Sequence, residues 1–233
     1  MLLMPVRSSV FAVVMLTLIG FAGGAAAQEP ADPVVVSPEH YRVLMENEFV
    51  RVLDVRLAPG EQDKMHSHPS SAYFVMSGEK MTYHLPRSEK DGQLARGSVT
   101  LQGAIEVHSV ENSGTVPIHL ILFENKAAHA DEVKGEDPVK VSSTMFRLVD
   151  QNERIRVMDV TIGPGERTET HAHQASAYYS LAAGAVVLHA ADGTTTNVAL
   201  RPSGAGFLAA SDAQVIENTG TGPIHFLMFE FKP

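Results

Sequence analysis

Two short runs carry the residues best suited to chemistry. GEQDKMHSH holds His66 and His68, and GERTETHAH holds His171 and His173. Alternate side chains of a β-strand share one face, about 6.5–7 Å apart at Cα. Two imidazoles so placed can converge on one metal ion, with bonds of about 2.0–2.1 Å for zinc. A single His-x-His equally suits two histidines that merely hydrogen-bond within a core or at a surface. Its recurrence in the same register, after the same Pro-Gly turn, favours the metal.

The two runs belong to a longer internal repeat. Residues 41–84 and 146–189 align without a gap and agree at 16 of 44 positions. VENSGTVPIHLILFE from Val110 matches IENTGTGPIHFLMFE from Ile216 at 9 of 15. A repeat of this length means two copies of one folded unit. Other polar residues recur with it. His84 aligns with His189, and His119 with His225. Either pair could support a pocket near neutral pH, although a structural histidine bonded to backbone is the commoner role on a strand. Glu111 and Glu217 fall by alternation on the face opposite the ligands. His40 and His129 have no counterpart in the other unit and read as exposed.

The elements that must hold these side chains have a period of two. Leu53, Val55 and Leu57 share a face, as do Met158, Val160 and Ile162. Pro59-Gly60 and Pro164-Gly165 suit tight turns. Asp192-Gly193 signals a hairpin, and Asp91-Gly92 is expected in a longer hairpin tip. Many short, turn-punctuated strands imply an all-β sandwich or barrel. The expected organisation is a signal peptide over 1–27, an extended segment over 28–37, a first unit over 38–126, a polar linker over 127–142 and a second unit over 143–233.

At this level the sequence resembles the cupins. Both runs fit that family's first motif, Gly, five residues, His-x-His. GSVTLQGAIEVHSVEN fits the spacing of its second motif, with Gly97, His108 and Asn112 at the expected places. The resemblance covers both units and implies a bicupin: two tandem jelly-roll β-barrel domains with histidines pointing inward. It makes His66, His68 and His108 the metal ligands of the first barrel. The family spans dioxygenases, decarboxylases, isomerases, lyases and binding proteins, so fold alone decides little about reaction.

Departures from the family pattern bear on the chemistry. The glutamate usual after the second histidine is replaced by Ala72 and Ala177, beside Tyr73 and Tyr178. Either tyrosine could replace its hydrogen bonding or simply pack across strands. In the second unit Gln214 stands where the motif histidine is expected, leaving a weaker site of His171, His173 and Gln214. Three neutral ligands leave a divalent ion its full charge, which favours an anionic ligand. Iron, manganese, nickel, copper and zinc all suit such a set.

Composition narrows the setting. Arg7, an apolar run from Val10 to Phe21 and Ala25-Ala26-Ala27 have the form of a cleavable export signal, which predicts a periplasmic or secreted protein with no membrane attachment after cleavage. The chain has no cysteine and a net charge of −9. An acidic chain without clustered Lys and Arg argues against nucleic-acid binding. Three readings follow. One is a metal-dependent enzyme acting on a small molecule, dioxygenase-like by resemblance, with a lyase or isomerase close behind. Another is a binding protein for a small ligand or metal. The third is a pair of barrels whose histidines are relics. A homodimer is what the family resemblance implies.

Overall fold

A computed structural model describes residues 31–126 and 132–233. The export signal read over 1–27 and residue His129 lie outside them. The first unit comprises α1 (Pro33–Val36), β1 (Tyr41–Glu46), β2 (Val50–Leu57), β3 (His66–His68), β4 (Ser71–Ser77), β5 (Lys80–Leu85), β6 (Ser88–Gln93), β7 (Val99–Gln102), β8 (Ile105–Glu111) and β9 (Ile118–Asn125). The second repeats it with α2 (Pro138–Val141), β10 (Phe146–Gln151), β11 (Ile155–Ile162), β12 (His171–His173), β13 (Ser176–Ser180), β14 (Gly184–Ala190), β15 (Thr195–Leu200), β16 (Ala205–Leu208), β17 (Ser211–Asn218) and β18 (Ile224–Phe231). Each unit is a jelly roll of two antiparallel sheets. The first has β1-β2-β9-β4-β7 facing β3-β8-β5-β6, and the second has β10-β11-β18-β13-β16 facing β12-β17-β14-β15.

Strand alternation builds two cores from each five-stranded sheet. Leu53, Val55, Leu57, Tyr73, Val75, Leu120 and Leu122 point into the first barrel. Val50, Val52, Ala72, Ile121 and Phe123 point out of it, onto Ile155, Val157, Ala177, Tyr179, Leu227, Phe229 and Phe231 of the second. The two sheets are therefore apolar on both faces, which explains near-continuous apolar runs such as IHLILFE. Phe123 and Phe229 stack at the centre of this junction, ring centroids 3.5 Å apart.

Two expectations about connecting segments need correction. The stretch read as an extended lead-in contains the helical turn α1, and the stretch read as linker contains α2. In each, an aspartate caps the turn: Asp32 Oδ1 accepts from Val34 N, and Asp137 Oδ1 from Val139 N, both at 2.9 Å. Proline at the first helical position suits the cap. The signal was present as DPV-x-VS at both places, an upstream extension of the repeat. The first hairpin turns at Pro86-Arg87, between β5 and β6, rather than at Asp91-Gly92. Those two residues lie within β6, opposite Thr82 and Met81.

Candidate metal centre in the first barrel

The site begins with a bulge. Across the β3–β8 pair, His66 sits opposite His108 while His68 sits opposite Ile105, so one strand gains a residue between them. Such bulges re-aim side chains, and here all three rings turn inward and are buried. Their candidate ligand nitrogens lie within 4.8 Å of one another. Asn112 fixes the end of β8 by donating from Nδ2 to Leu57 O at 2.9 Å and Val116 O at 3.0 Å. Its part in the motif is structural.

The surrounding bonds fix the orientation of two rings. His66 Nδ1 lies 2.7 Å from Lys64 O. A carbonyl can only accept, so the proton is on Nδ1 and Nε2 is bare in the neutral ring. His68 Nδ1 donates to Glu124 Oε1 at 2.6 Å, which directs its Nε2 into the barrel. His66 Nε2 and His68 Nε2 face each other at 2.9 Å. His108 Nδ1 is buried with no hydrogen-bond partner among the described residues. Burial, reinforced by His68, pushes the His66 pKa down to about 4. Burial with His66 and His68 pushes that of His108 down to about 3. Three buried, inward-facing imidazoles, with His66 and His108 held neutral, fit a divalent transition metal.

Glu124 was not foreseen from the sequence. It lies on β9, fully buried, and bridges His68 to Arg51, whose Nε donates to Glu124 Oε2 at 2.5 Å. Arg51 Nη1 in turn donates to Asp32 Oδ2 at 2.7 Å. Burial alone would raise the Glu124 pKa, but hydrogen bonds from His68 and Arg51 outweigh it and hold the carboxyl below its ordinary value. The missing glutamate of the first motif is thus answered from another strand, behind a ligand. The available signal was its exact recurrence as Glu230 in the LFE and MFE runs.

Tyr41 and Asp63 were also missed. Tyr41 Oη donates to Asp63 Oδ2 at 2.6 Å and lies 3.2 Å from His66 Nε2. Asp63 Oδ1 accepts from Val110 N at 2.6 Å. Burial pushes the Asp63 carboxyl up to about 6 despite those bonds. A cavity of about 30 Å³ opens beside the rings, lined on its polar side by Tyr41, His68, His108, Tyr73, Tyr83 and Gln102. Tyr73 and Tyr83 hydroxyls lie 3.4 Å apart, and Gln102 Nε2 donates to Tyr83 Oη at 3.1 Å. Tyr73 therefore does face the pocket.

The second barrel keeps the scaffold and changes the chemistry. His171 Nδ1 donates to Glu169 O at 2.9 Å, and its Nε2 is buried without a partner among the described residues. His173 Nδ1 donates to Gln174 O, so its Nε2 is an acceptor, and the Gln214 amide lies 2.9 Å from it. With its two ends exchanged, that amide satisfies the nitrogen through its NH2 group. The rings of His171 and His173 stand 6.2 Å apart, against 4.7 Å for His66 and His68. Glu230 is 3.4 Å from Arg156 Nη1. Burial wins there and pushes its carboxyl up to about 7. Tyr178 packs edge-on to Phe226 and lines a separate, apolar cavity away from both histidines.

Two further pairs are placed away from the ligands. His84 Nε2 bonds Glu111 Oε2 at 2.9 Å and its Nδ1 bonds Glu89 Oε1 at 3.0 Å. His189 Nε2 bonds Glu217 Oε2 at 2.7 Å. Neither lines a pocket beside the imidazoles, because alternation turns both to the outer face of their sheet with the glutamates. His119 and His225 pair with Asp54 and Asp159 at 2.9 and 2.7 Å. His40, expected to be exposed, is buried with Nδ1 2.9 Å from Arg56 O.

No family model matches the sequence, and no curated protein does. Solved structures match through the fold. AerE from Microcystis aeruginosa superposes with a TM-score of 0.60 at 14% identity, over 88% of this chain and 98% of that one. Bacillus subtilis oxalate decarboxylase, in a study of its Mn(II) centres, gives 0.57 at 12% identity, over 90% and 78%. A single-substitution variant of the same enzyme gives 0.59 at 14%, over 88% and 74%. The shared feature is the fold, two tandem antiparallel jelly rolls.

Proposed function

We propose that this protein is a divalent-metal enzyme of small-molecule metabolism whose working site is the first barrel. The observation that carries the reading is the convergence of three buried imidazoles, with His66 Nε2 and His68 Nε2 facing each other at 2.9 Å beside His108. A metal ion between the facing nitrogens would accept a lone pair from each. Iron, manganese, nickel, copper or zinc suits three imidazoles. The Mn(II) centres of the structurally similar oxalate decarboxylase add weight to manganese.

Such an ion supplies Lewis acidity, or redox chemistry if iron, manganese or copper is bound. The chain's own residues do the rest. Glu124 holds His68 in its metal-ready tautomer, and Lys64 O does the same for His66. Tyr83 and Gln102 offer hydrogen bonds to an oxygen-bearing substrate at the far wall. Leu57, Leu120 and Leu122 exclude water. At about 30 Å³ the cavity has room for two or three waters, each needing about 10–15 Å³. The substrate is accordingly a molecule of few heavy atoms, anionic because the ligating imidazoles are neutral. Oxygen-dependent cleavage is the leading reaction class, with a lyase or isomerase next. The leader-like residues 1–27 carry the protein to the periplasm or beyond. A homodimer would form through surfaces other than the outer faces of the five-stranded sheets, which are joined within the chain.

The test is metal analysis of the purified protein, followed by His66→Ala and His108→Ala. One equivalent per chain, lost in both variants, supports the reading. An oxygen-uptake and product screen over small carboxylates, diketones and phenols then tests turnover. Metal-free protein from cells supplied with all five metals would overturn it. A metal-loaded protein inert toward every substrate class would leave the binding-protein alternative in its place.

A further inference from the structure

The contact between Tyr41 and His66 has a peculiarity of its own. The single hydroxyl proton of Tyr41 points to Asp63 Oδ2, 2.6 Å away. The proton of His66 is on Nδ1, directed at Lys64 O. Across the 3.2 Å between Tyr41 Oη and His66 Nε2, two lone pairs face each other. Tyr41 Oη, His66 Nε2 and His68 Nε2 thus line up in sequence at contact distances of 3.2 and 2.9 Å. Adjacent donors on one ion with bonds of about 2.0–2.2 Å stand about 3 Å apart, which matches the observed 2.9 and 3.2 Å.

The second barrel serves as an internal control. Phe146 occupies the seat of Tyr41 and packs on His171 at 5.1 Å and 62°, against 5.2 Å and 65° for Tyr41 on His66. The ring alone therefore satisfies the packing. Thr168 stands at the place of Asp63, and Gln214 opposite His171 where His108 is opposite His66. Hydroxyl, carboxylate and third imidazole are present together in one barrel and absent together from the other.

We propose that Tyr41 is a fourth protein ligand, an oxygen arm that completes the three-histidine centre. On coordination the Tyr41 O–H bond breaks, a bond from Oη to the metal forms, and the proton passes to the Asp63 carboxylate. The inference rests on the metal reading above and adds a donor that the histidine spacing does not contain.

Loading with Fe(III) or Cu(II) tests it, because a coordinated phenolate gives a visible charge-transfer absorption that imidazoles do not. The parent is expected to show this band with one equivalent of metal bound. Tyr41→Phe, whose side chain is already accommodated at Phe146, should bind metal without the band and with affinity reduced about ten-fold or more. A parent that binds one equivalent without the band, or a variant that retains the band, overturns the fourth ligand while leaving the three-histidine centre standing. A parent that binds no metal overturns both. Asp63→Asn gives a second check: with no carboxylate to take the proton, the band should weaken at equal metal loading, and an unchanged band counts against the proposal.

Discussion

Glu124 Oε1 accepts a hydrogen bond from His68 Nδ1 at 2.6 Å, although the two residues are 56 positions apart in sequence. The contact fixes which nitrogen of His68 faces the barrel interior. Arg51 and Asp32 extend it outward as an alternating chain of charges. In the second barrel the corresponding Glu230 makes no such bond to His173, whose Nδ1 donates to the backbone at Gln174.

Replacing Glu124 by Gln should therefore lower metal affinity about 10- to 100-fold, the usual cost of losing an oriented partner behind a ligand. Isothermal titration with Mn(II) or Zn(II) measures it. The same substitution at Glu230 should leave first-barrel affinity unchanged. Equal losses in both variants would show a general effect on folding.

Acid should weaken the metal-free protein through its buried histidines. His108 has a folded pKa of about 3 against an unfolded value near 6.5. Between those values the unfolded chain binds more protons, so stability falls as pH falls. The parent should lose up to about 1.4 kcal/mol per pH unit relative to His108→Leu across that window. Asp63, raised to about 6, acts in the opposite sense in both proteins and cancels in the difference. Urea unfolding of the two proteins between pH 4.5 and 7 checks this. A constant difference in stability would refute it.

Glu230 should show the reverse dependence. Its folded pKa of about 7 lies above the unfolded value of 4.5, so the native state holds the proton longer. That contribution is fully present below about pH 4.5 and lost as pH rises through 7. Glu230→Gln, permanently neutral, should gain stability relative to the parent on going from pH 5 to pH 8. Thermal melts at the two pH values give the comparison.

The stacked pair at the junction should hold the barrels together. Phe123→Ala or Phe229→Ala should each cost about 3–5 kcal/mol, and the double variant less than the sum because the rings touch. Denaturant midpoints and gel filtration report both effects. Variants with the parent's midpoint would mean that the junction contributes little.

Much of this was legible in the sequence. The duplicated unit, its strands and its turns after Pro59 and Pro164 follow from short-range pattern: a period of two, glycine and proline at turns, and one motif written twice; the inward histidines were what the cupin resemblance implied. The paired strands then bring His108 opposite His66 as the motif spacing implied. What only the tertiary structure decided is what converges from elsewhere. β9 lies between β2 and β4, and this places Glu124 behind His68. The opening of β1 brings Tyr41 to Asp63 and His66. The outer faces of two sheets become a shared core. Periodicity states which way a side chain points relative to its own strand. It cannot state which distant strand lies opposite, because non-local pairing is settled by the burial of whole faces together, and the second barrel shows that the same faces can close around a different set of polar groups.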